Sequence, residues 1–239
     1  MRKLGLIGGM SWVSTRSYYE DINRIVQKAE GPVASAPLLI ESLDFTPLYR
    51  LSTREEWDGA AKILIESAKR LEDAGAGALV IAANSMHCLY DQIVDSIGIP
   101  VIHIADCVAQ DMIARGAKRA ALLGTRNVML EDFYRSRLIE NDIELLPPEM
   151  AIVEQLDRII YDELMVGKVR RQSERELRTI ITNLEKDEAD AVVLGCTELN
   201  LLVHTEANVL PIFDGAEIHA QAGARWILGD DLSLPKVGS

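Results

Sequence analysis

The chain has 239 residues, of which 48% are hydrophobic, so it can bury one large core or two smaller ones and is too rich in aliphatic residues to be disordered. Its formal net charge is −12, with acidic and basic residues mixed along the whole length, which argues against nucleic acid or an anionic membrane as a partner. Three cysteines, Cys88, Cys107 and Cys196, form neither a C-x-x-C pair nor a metal-type spacing with the four histidines, so we expect no disulfide framework, no metal site and a cytoplasmic location.

Short apolar runs alternate with longer segments of helical period, which is the pattern of a parallel sheet covered by helices. The predicted strands, in chain order, are residues 3–7, 37–41, 78–82, 101–104, 119–123, 144–146, 191–194 and 210–213. The clearest predicted helices are residues 57–74, which Gly75 closes, and 173–186. No apolar run is long enough to span a bilayer.

Three landmarks recur in the same order in the two halves of the chain. They are "LGLIGGM" and "AALLGTR" at 4–10 and 120–126, "ALVIAANSMH" and "AVVLGCTELN" at 78–87 and 191–200, and "IPVIHIAD" and "VLPIFDGAE" at 99–106 and 209–217. The similar shifts indicate two copies of one α/β lobe, although strands that end in glycine are common to all parallel α/β sheets.

We therefore predict an α/β protein of two pseudo-symmetric Rossmann-like lobes, each a mainly parallel sheet flanked by helices. The N-terminal lobe comprises residues 1–105, with 214–239 returning to it, and the C-terminal lobe comprises residues 106–213. Because ligands collect beyond the carboxyl ends of parallel strands, we expect the active site in the cleft between the lobes.

The first glycine-rich turn, "GLIGGMSW", does not match a nucleotide-binding motif. Its glycines do not follow G-x-G-x-x-G, and the chain contains no G-K-[ST], so a dinucleotide site is not expected. The turn can instead offer the N–H groups of Gly9, Met10 and Ser11, with the Ser11 hydroxyl, to a carboxylate. A tight turn without a ligand fits the motif equally well.

The second pair of landmarks places Ala83 opposite Cys196. Cys196 lies between a buried strand and "TELNLLV", where Thr197 could cap a short helix and nearby N–H groups would favour a thiolate. Cys196 is therefore a candidate base or nucleophile, and a buried inert cysteine is the alternative. Cys88 and Cys107 fit that inert alternative better.

Three histidines have less specific interpretations. His87, one turn beyond Asn84, could cap a helix, orient a site residue or merely pack. His103, inside a predicted strand, and His219, on a C-terminal helix, are interpreted as structural.

Several segments together carry a resemblance to a known family. They are "GLIGGMSW" followed by "STRSYYEDIN", "NSMH" at 84–87, "LLGTRNVM" with "DFYRSRL", and "GCTELNLLV". The chain resembles, nearly from end to end, the cofactor-independent aspartate/glutamate racemases, particularly the bacterial branch of broad-specificity amino-acid racemases. The resemblance implies an amino acid or related carboxylate as partner, no pyridoxal phosphate or other cofactor, and no metal. A homodimer is left open.

The resemblance also implies a pair of proton-transfer residues, one from each lobe. Inversion at an α-carbon requires a proton to leave one face and another to arrive at the opposite face, so an acid and a base must flank the carbon. Members commonly carry cysteine or threonine directly before the Asn of the first motif, and cysteine in G-C-T-E. Cys196 matches the second position, whereas Ala83 occupies the first and carries no exchangeable proton.

Most substrate-binding positions of the family are retained. Those that match are Met10 and Ser11 in the first loop, Asn84 and Ser85 in the place of an Asn-Thr pair, and Thr197 and Glu198 after the cysteine. Candidates for binding a side-chain carboxylate are Arg50, Arg54, Lys168 and Arg170, each of which could equally be a solvated surface charge.

We thus expect a PLP-independent racemase-type isomerase of acidic amino acids, aspartate or glutamate, in which Ala83 replaces one base. Ser85 or His87 could substitute for the missing base, or water could supply the proton. Alternatively, the site could perform one-acid chemistry such as the decarboxylation of a single-cysteine branch of the superfamily, or the chain could be a non-catalytic amino-acid-binding protein. An Ala83 introduced to trap a substrate complex is a further interpretation.

Overall fold

The computed structural model describes residues 1–203, 208–230 and 232. Within them, eight strands form two four-stranded sheets in which every pairing is parallel. The strands are β1 Leu4–Gly8, β2 Leu38–Ser42, β3 Ala78–Ile81, β4 Val101–Ile102, β5 Arg119–Gly124, β6 Glu144–Leu145, β7 Ala191–Gly195 and β8 Ile212–Asp214. Their spatial orders, β2-β1-β3-β4 and β6-β5-β7-β8, are the same when counted along each half of the chain.

Helices connect successive strands, as parallel pairing requires. They are α1 Trp12–Glu30, α2 Arg54–Asp73, α3 Tyr90–Val94, α4 Ile104–Ala114, α5 Arg126–Leu130, α6 Asp132–Glu140, α7 Met150–Asp162, α8 Arg171–Lys186 and α9 Gly215–Leu228. Four short 3₁₀ helices lie at Thr46–Leu48, Ser85–Leu89, Leu164–Val166 and Thr197–Leu201. The predicted α/β class, with two parallel sheets flanked by helices, is confirmed.

The chain forms two compact units. Among the described residues, the first comprises Met1–His103 and those from His219 onward, and the second comprises those between Ile104 and Ile218. Helix α9 therefore begins in the second unit and ends in the first.

Three of the four central strands are buried along their whole length, and in the fourth, β5, Arg119 is half-buried. Every residue of β1 and β3 in the first unit, and of β7 in the second, is buried. Parallel strands covered by helices on both faces read as continuous apolar runs, which is why these segments were recognisable in the sequence. The polar candidate residues therefore lie after the ends of these strands and not within them.

Several predicted element boundaries differ from the structure by one to three residues, and two of these differences have a clear physical reason. The strand predicted at 101–104 ends at Ile102, and α4 begins at Ile104, so His103 lies in the link between them and not in a strand. Helix α2 begins at Arg54 rather than at residue 57 because Thr53 and Glu56 form a capping box: Glu56 N donates to Thr53 Oγ1 at 3.2 Å, and Thr53 N donates to Glu56 Oε2 at 2.9 Å. The T-x-x-E spacing was visible in the sequence.

One glycine of the first turn is required by the fold. Gly9 has φ +87°, in the left-handed region, and a Cβ there would collide with the backbone of Leu43, whose N–H donates to Gly8 O at 3.0 Å. The chain therefore leaves β1 beside the end of β2 in a conformation that a side chain would not permit.

Candidate active site

In the first unit, five predicted site residues follow two neighbouring strands. Met10 and Ser11 follow β1, and Ala83, Asn84 and Ser85 follow β3. The strands pair in register, Ile7 beside Ile81, and Ala82 N donates to Ile7 O at 2.9 Å. Because neighbouring parallel strands end at one edge of the sheet, these residues form one group, which we call the first cluster.

The turn after β1 is held by a threonine that the sequence analysis did not single out. Thr15 Oγ1 accepts from Gly9 N at 2.7 Å and donates to Ser11 O at 3.1 Å. The prediction that the Gly9 N–H faces a ligand is therefore wrong, since Thr15 uses it. Met10 and Ser11 are buried, and Ser11 occupies the N-cap position of α1.

Asn84 carries the clearest sign of a ligand in the first cluster. It is 5% exposed, and its Oδ1 is buried with no hydrogen-bond partner among the described residues. Buried polar atoms in native proteins are nearly always paired, so an acceptor left open at a strand end is suited to a ligand N–H. Ala83 is also buried, and Ser85, half-buried, begins a 3₁₀ helix.

In the second unit, Cys196, Thr197 and Glu198 follow β7 and form the second cluster. Cys196 stands at the same offset from the start of β7, at Ala191, as Ala83 does from the start of β3, at Ala78. Cys196, not Thr197, is the N-cap residue of the short helix Thr197–Leu201. The sequence placed this cap one residue too late.

The Cys196 thiol donates a hydrogen bond to a buried carboxylate. Its Sγ lies 3.2 Å from Glu198 Oε2, and both side chains are buried. Burial, followed by the negative charge of Glu198, raises the pKa of the Cys196 thiol well above its usual value. The N–H groups of Glu198 and Leu199 act in the opposite direction but are outweighed, so the expectation that they would favour a thiolate is wrong in its net effect.

Two further polar features lie next to the second cluster, one hydrogen bond and one buried hydroxyl without a partner among the described residues. Asn200 Nδ2 donates to Asp214 Oδ2 at 3.3 Å, which ties the turn after β7 to the end of β8. At the end of β5, beside β7, Thr125 Oγ1 is buried with no partner among the described residues. Thr125 is in "LLGTR", a landmark of the repeat, but only its burial distinguishes it as a candidate ligand contact.

The predicted cationic residues lie on the surface. Arg50, Lys168 and Arg170 are exposed. Arg170 Nη1 lies 3.7 Å from Oε1 of the buried Glu163, whose Oε2 accepts from Ser173 Oγ at 2.6 Å. The 3₁₀ helix Leu164–Val166, just before Lys168, neighbours the turn Thr197–Leu201. These contacts place the Lys168–Arg170 segment near the second cluster, but they do not indicate that its cations bind a ligand.

The described part of the chain has neither a metal-binding group of side chains nor a membrane-spanning helix. Between residues 1 and 232, outside 204–207 and 231, no three histidine, cysteine or acidic side chains are placed to bind a metal ion. Over the same residues, no helix combines the length and apolarity that a membrane crossing needs. The fourth histidine, His204, lies outside the described residues.

The geometry defines a class: an α/β protein of two like units, each with a small polar cluster at the carboxyl ends of its central strands. Residues 7–223 match the family model of Asp/Glu/hydantoin racemases, and the chain belongs to that family. It is 39% identical to a predicted Asp/Glu racemase from Yersinia pestis, with a TM-score of 0.88 over 95% of this chain and 100% of that one.

Two other relatives cover most of the chain. An aspartate racemase homologue from Pyrococcus horikoshii OT3 is 35% identical, with a TM-score of 0.82 over 95% of this chain and 100% of that one. The broad-specificity amino-acid racemase RacX of Bacillus subtilis (strain 168) is 24% identical over 224 residues, which are 92% of this chain and 95% of that protein. The family resemblance noted from the sequence is confirmed.

The Cys196–Glu198 contact predicts a specific titration change. Glu198→Gln removes the adjacent negative charge, so we expect the pKa of Cys196 to fall towards its usual value while burial keeps it above that value. The measurement is the pH dependence of thiolate absorbance in a Cys88→Ser, Cys107→Ser background, in which Cys196 is the one remaining thiol. Glu217→Gln, an exposed charge of the same unit, is the control. An unchanged or higher Cys196 pKa in Glu198→Gln would contradict the contact.

Proposed function

We propose that the chain is a cofactor-independent racemase-type isomerase that removes and returns the α-proton of an acidic amino acid, aspartate or glutamate. The observation that carries the proposal is the buried Cys196–Glu198 pair at the end of β7, in a member of the racemase family. The names of its relatives, an aspartate racemase homologue and a broad-specificity amino-acid racemase, support the reaction type. A cytoplasmic location is part of the proposal, and the three free cysteines are compatible with it.

Glu198 gives the high-pKa thiol a route to act as a base. The Sγ proton passes to Glu198 Oε2 along their hydrogen bond, leaving a thiolate and a neutral carboxylic acid. The pair keeps a single negative charge, so this transfer adds no charge to a buried site. The thiolate then takes the α-proton and the substrate becomes a planar carbanion. After the thiol proton has exchanged with solvent, the thiol returns a solvent-derived proton to the same face.

The first cluster contributes binding rather than acid–base chemistry in this proposal. Ala83 holds the position of the second acid and has only a methyl group to offer. Asn84 Oδ1 accepts from the substrate amino group, and Met10, Ser11 and Ser85 lie beside it to contact the carboxylate and amino groups. The consequence is exchange of the α-proton at one face, with slow or no inversion. Ser85 is the candidate substitute for the missing acid.

Charge at the surface supports acidic substrates. Arg50, Lys168 and Arg170 are exposed cations in a chain whose net charge is −12, and they are proposed to attract and hold a side-chain carboxylate. The ion pair with Glu163 partly neutralises Arg170, which leaves Lys168 as the stronger candidate of the two.

Ala83 also favours a second candidate function. A protein that keeps the Asn84 acceptor and lacks one of two proton donors can bind an amino acid without turning it over. The lack of a proton donor at Ala83 is also compatible with a decarboxylase, which would need only Cys196 as its acid. The two candidates are separated from the racemase proposal by the rescue experiment below.

Restoring an acid at position 83 should create fast inversion. We expect Ala83→Cys and Ala83→Thr to accelerate racemisation of L-aspartate by about 10²–10⁴-fold, the usual contribution of a general acid or base. Ala83→Val is the matched control, because valine has the shape of threonine without its hydroxyl. The enantiomers are separated by chiral chromatography, and Cys196→Ala should abolish the gain.

Two results would count against this account. An unaltered chain that racemises aspartate as fast as Ala83→Cys does would show that another group supplies the second proton. A folded Ala83→Cys variant without any gain would instead favour the binding or decarboxylase functions, which release of carbon dioxide from a substituted malonate distinguishes.

Removal of the Asn84 acceptor should weaken substrate binding independently of turnover. A hydrogen bond to a charged group contributes about 1.5–3 kcal/mol, so Asn84→Ala should raise the Kd for aspartate by roughly tenfold or more. Calorimetric titration measures the Kd, and Asn183→Ala, at the exposed end of α8, is the control. If aspartate binds both variants equally well, Asn84 does not hold the ligand.

A further inference from the structure

The first unit contains a cluster of buried aromatic and imidazole rings that the proposed chemistry does not use. Its members come from five separate segments: Tyr18 from α1, His87 from the 3₁₀ helix Ser85–Leu89, Tyr90 from α3, His103 from the link after β4, and His219 from α9. The three histidines are at most 2% exposed. We call this group the ring cluster.

Hydrogen bonds fix the protonation of His219. Its Nε2 lies 2.9 Å from the carbonyl oxygen of Ile102, which can only accept, so Nε2 carries the proton. Its Nδ1 then accepts from the Tyr18 hydroxyl at 2.9 Å. Burial lowers the pKa of His219 to about 4, so the ring is neutral at neutral pH and both of its nitrogens are satisfied.

His87, like His219, uses a ring N–H to bind a backbone carbonyl, in this case in the turn after β3. Its Nδ1 lies 3.0 Å from the carbonyl oxygen of Ala83 and therefore donates to it. Its backbone N–H donates to the carbonyl of Asn84 at 3.2 Å. His87 thus binds the carbonyl groups of two consecutive residues. They are Ala83, at the position of the missing acid, and Asn84, whose side chain has the unpaired acceptor.

The other rings restrict where His87 can point. The His87 ring meets the rings of His103 and His219 edge to face, with centroids 4.7 and 5.5 Å apart. His103 in turn packs edge to face on Tyr90 at 4.7 Å, and Tyr90 donates to the carbonyl of Val101 at 3.3 Å. The ring cluster therefore binds carbonyls at the ends of β3 and β4 and leaves His87 little rotational freedom.

We propose that His87 is a positioning residue, which fixes the peptide plane between residues 83 and 84 through its Nδ1–H and so sets the directions of the residue 83 side chain and of Asn84. The inference rests on the proposed function only in assigning residue 83 and Asn84 to the ligand. His87 does not itself exchange a proton with the substrate, which separates this role from that of a substitute base.

Three substitutions at one position test the geometry. Asparagine places an amide N–H where His87 has Nδ1–H, glutamine moves that donor one bond farther out, and leucine removes it. The measured quantity is the rate at which Cys196 exchanges the α-hydrogen of L- or D-aspartate with solvent. We expect this rate to fall about tenfold or more in His87→Leu and His87→Gln, and to stay within about threefold of the unaltered protein in His87→Asn. All three variants lose the ring packing, so we expect similar falls in their melting temperatures. A loss of stability therefore cannot explain why His87→Asn exchanges faster than His87→Leu and His87→Gln.

A second readout does not depend on turnover. The ¹³C shift of the Ala83 carbonyl should move in His87→Leu and His87→Gln and be largely retained in His87→Asn, and ¹⁵N spectra of the unaltered protein should show His87 protonated at Nδ1. Equal losses in His87→Asn and His87→Leu, or an Ala83 carbonyl indifferent to all three changes, would overturn the proposal. If the unaltered chain exchanges no α-proton, the proposed function fails, while the carbonyl shift and the Kd for aspartate still decide the role of His87.

Discussion

The pairing of β1 with β3 and of β5 with β7 is the constraint on which the positions of the first and second clusters depend. These strands are buried and parallel, so within each sheet their carboxyl ends lie at one edge, and the chain must turn there into a helix or a 3₁₀ turn. Backbone groups that leave the ladder at this edge need partners. Thr15 and His87 bond backbone groups of the turns that follow β1 and β3, and in the turn after β7 Glu198 accepts from the Cys196 thiol.

The two clusters differ in the charge of their side chains. At the end of β7, the buried Cys196 thiol donates a hydrogen bond to the negatively charged Glu198 carboxylate, which helps to raise the pKa of the thiol. At the end of β3, Ala83 and Asn84 are neutral, and the ring cluster behind them includes the neutral His219. A site of this kind can hold a polar ligand in a defined orientation without offering it an acid. The two units therefore repeat the fold with different side chains, Ala83 and Cys196, at corresponding positions.

Much of the architecture could be predicted from the sequence because strands buried on both faces leave an unbroken apolar signal. The runs at 78–82 and 191–194 were found for that reason, and the spacing between them and their glycine turns revealed the repeat. The end of β4 was missed because Ile104 is as apolar in α4 as it would be in a strand. Apolarity alone does not distinguish the two.

The candidate site residues could be named from the sequence, but their contacts could not. Cys196, Asn84 and Glu198 were named from motifs, whereas the thiol-to-carboxylate bond, the use of the Gly9 N–H by Thr15 and the packing of His87 on His103 and His219 join side chains whose orientation no periodicity reveals. His103 and His219 were interpreted as structural, one by one. Only their shared burial with His87 gives them a common role.

The most direct test of the account is a time course of unaltered protein with L- and D-aspartate in deuterated water, followed by ¹H NMR for the α-hydrogen and by chiral chromatography for configuration. The account predicts that one enantiomer loses its α-hydrogen to solvent with its configuration retained, and that Cys196→Ala stops this loss. Deuterium that enters with inversion at the same rate as it enters with retention, or no exchange in either enantiomer, would contradict it.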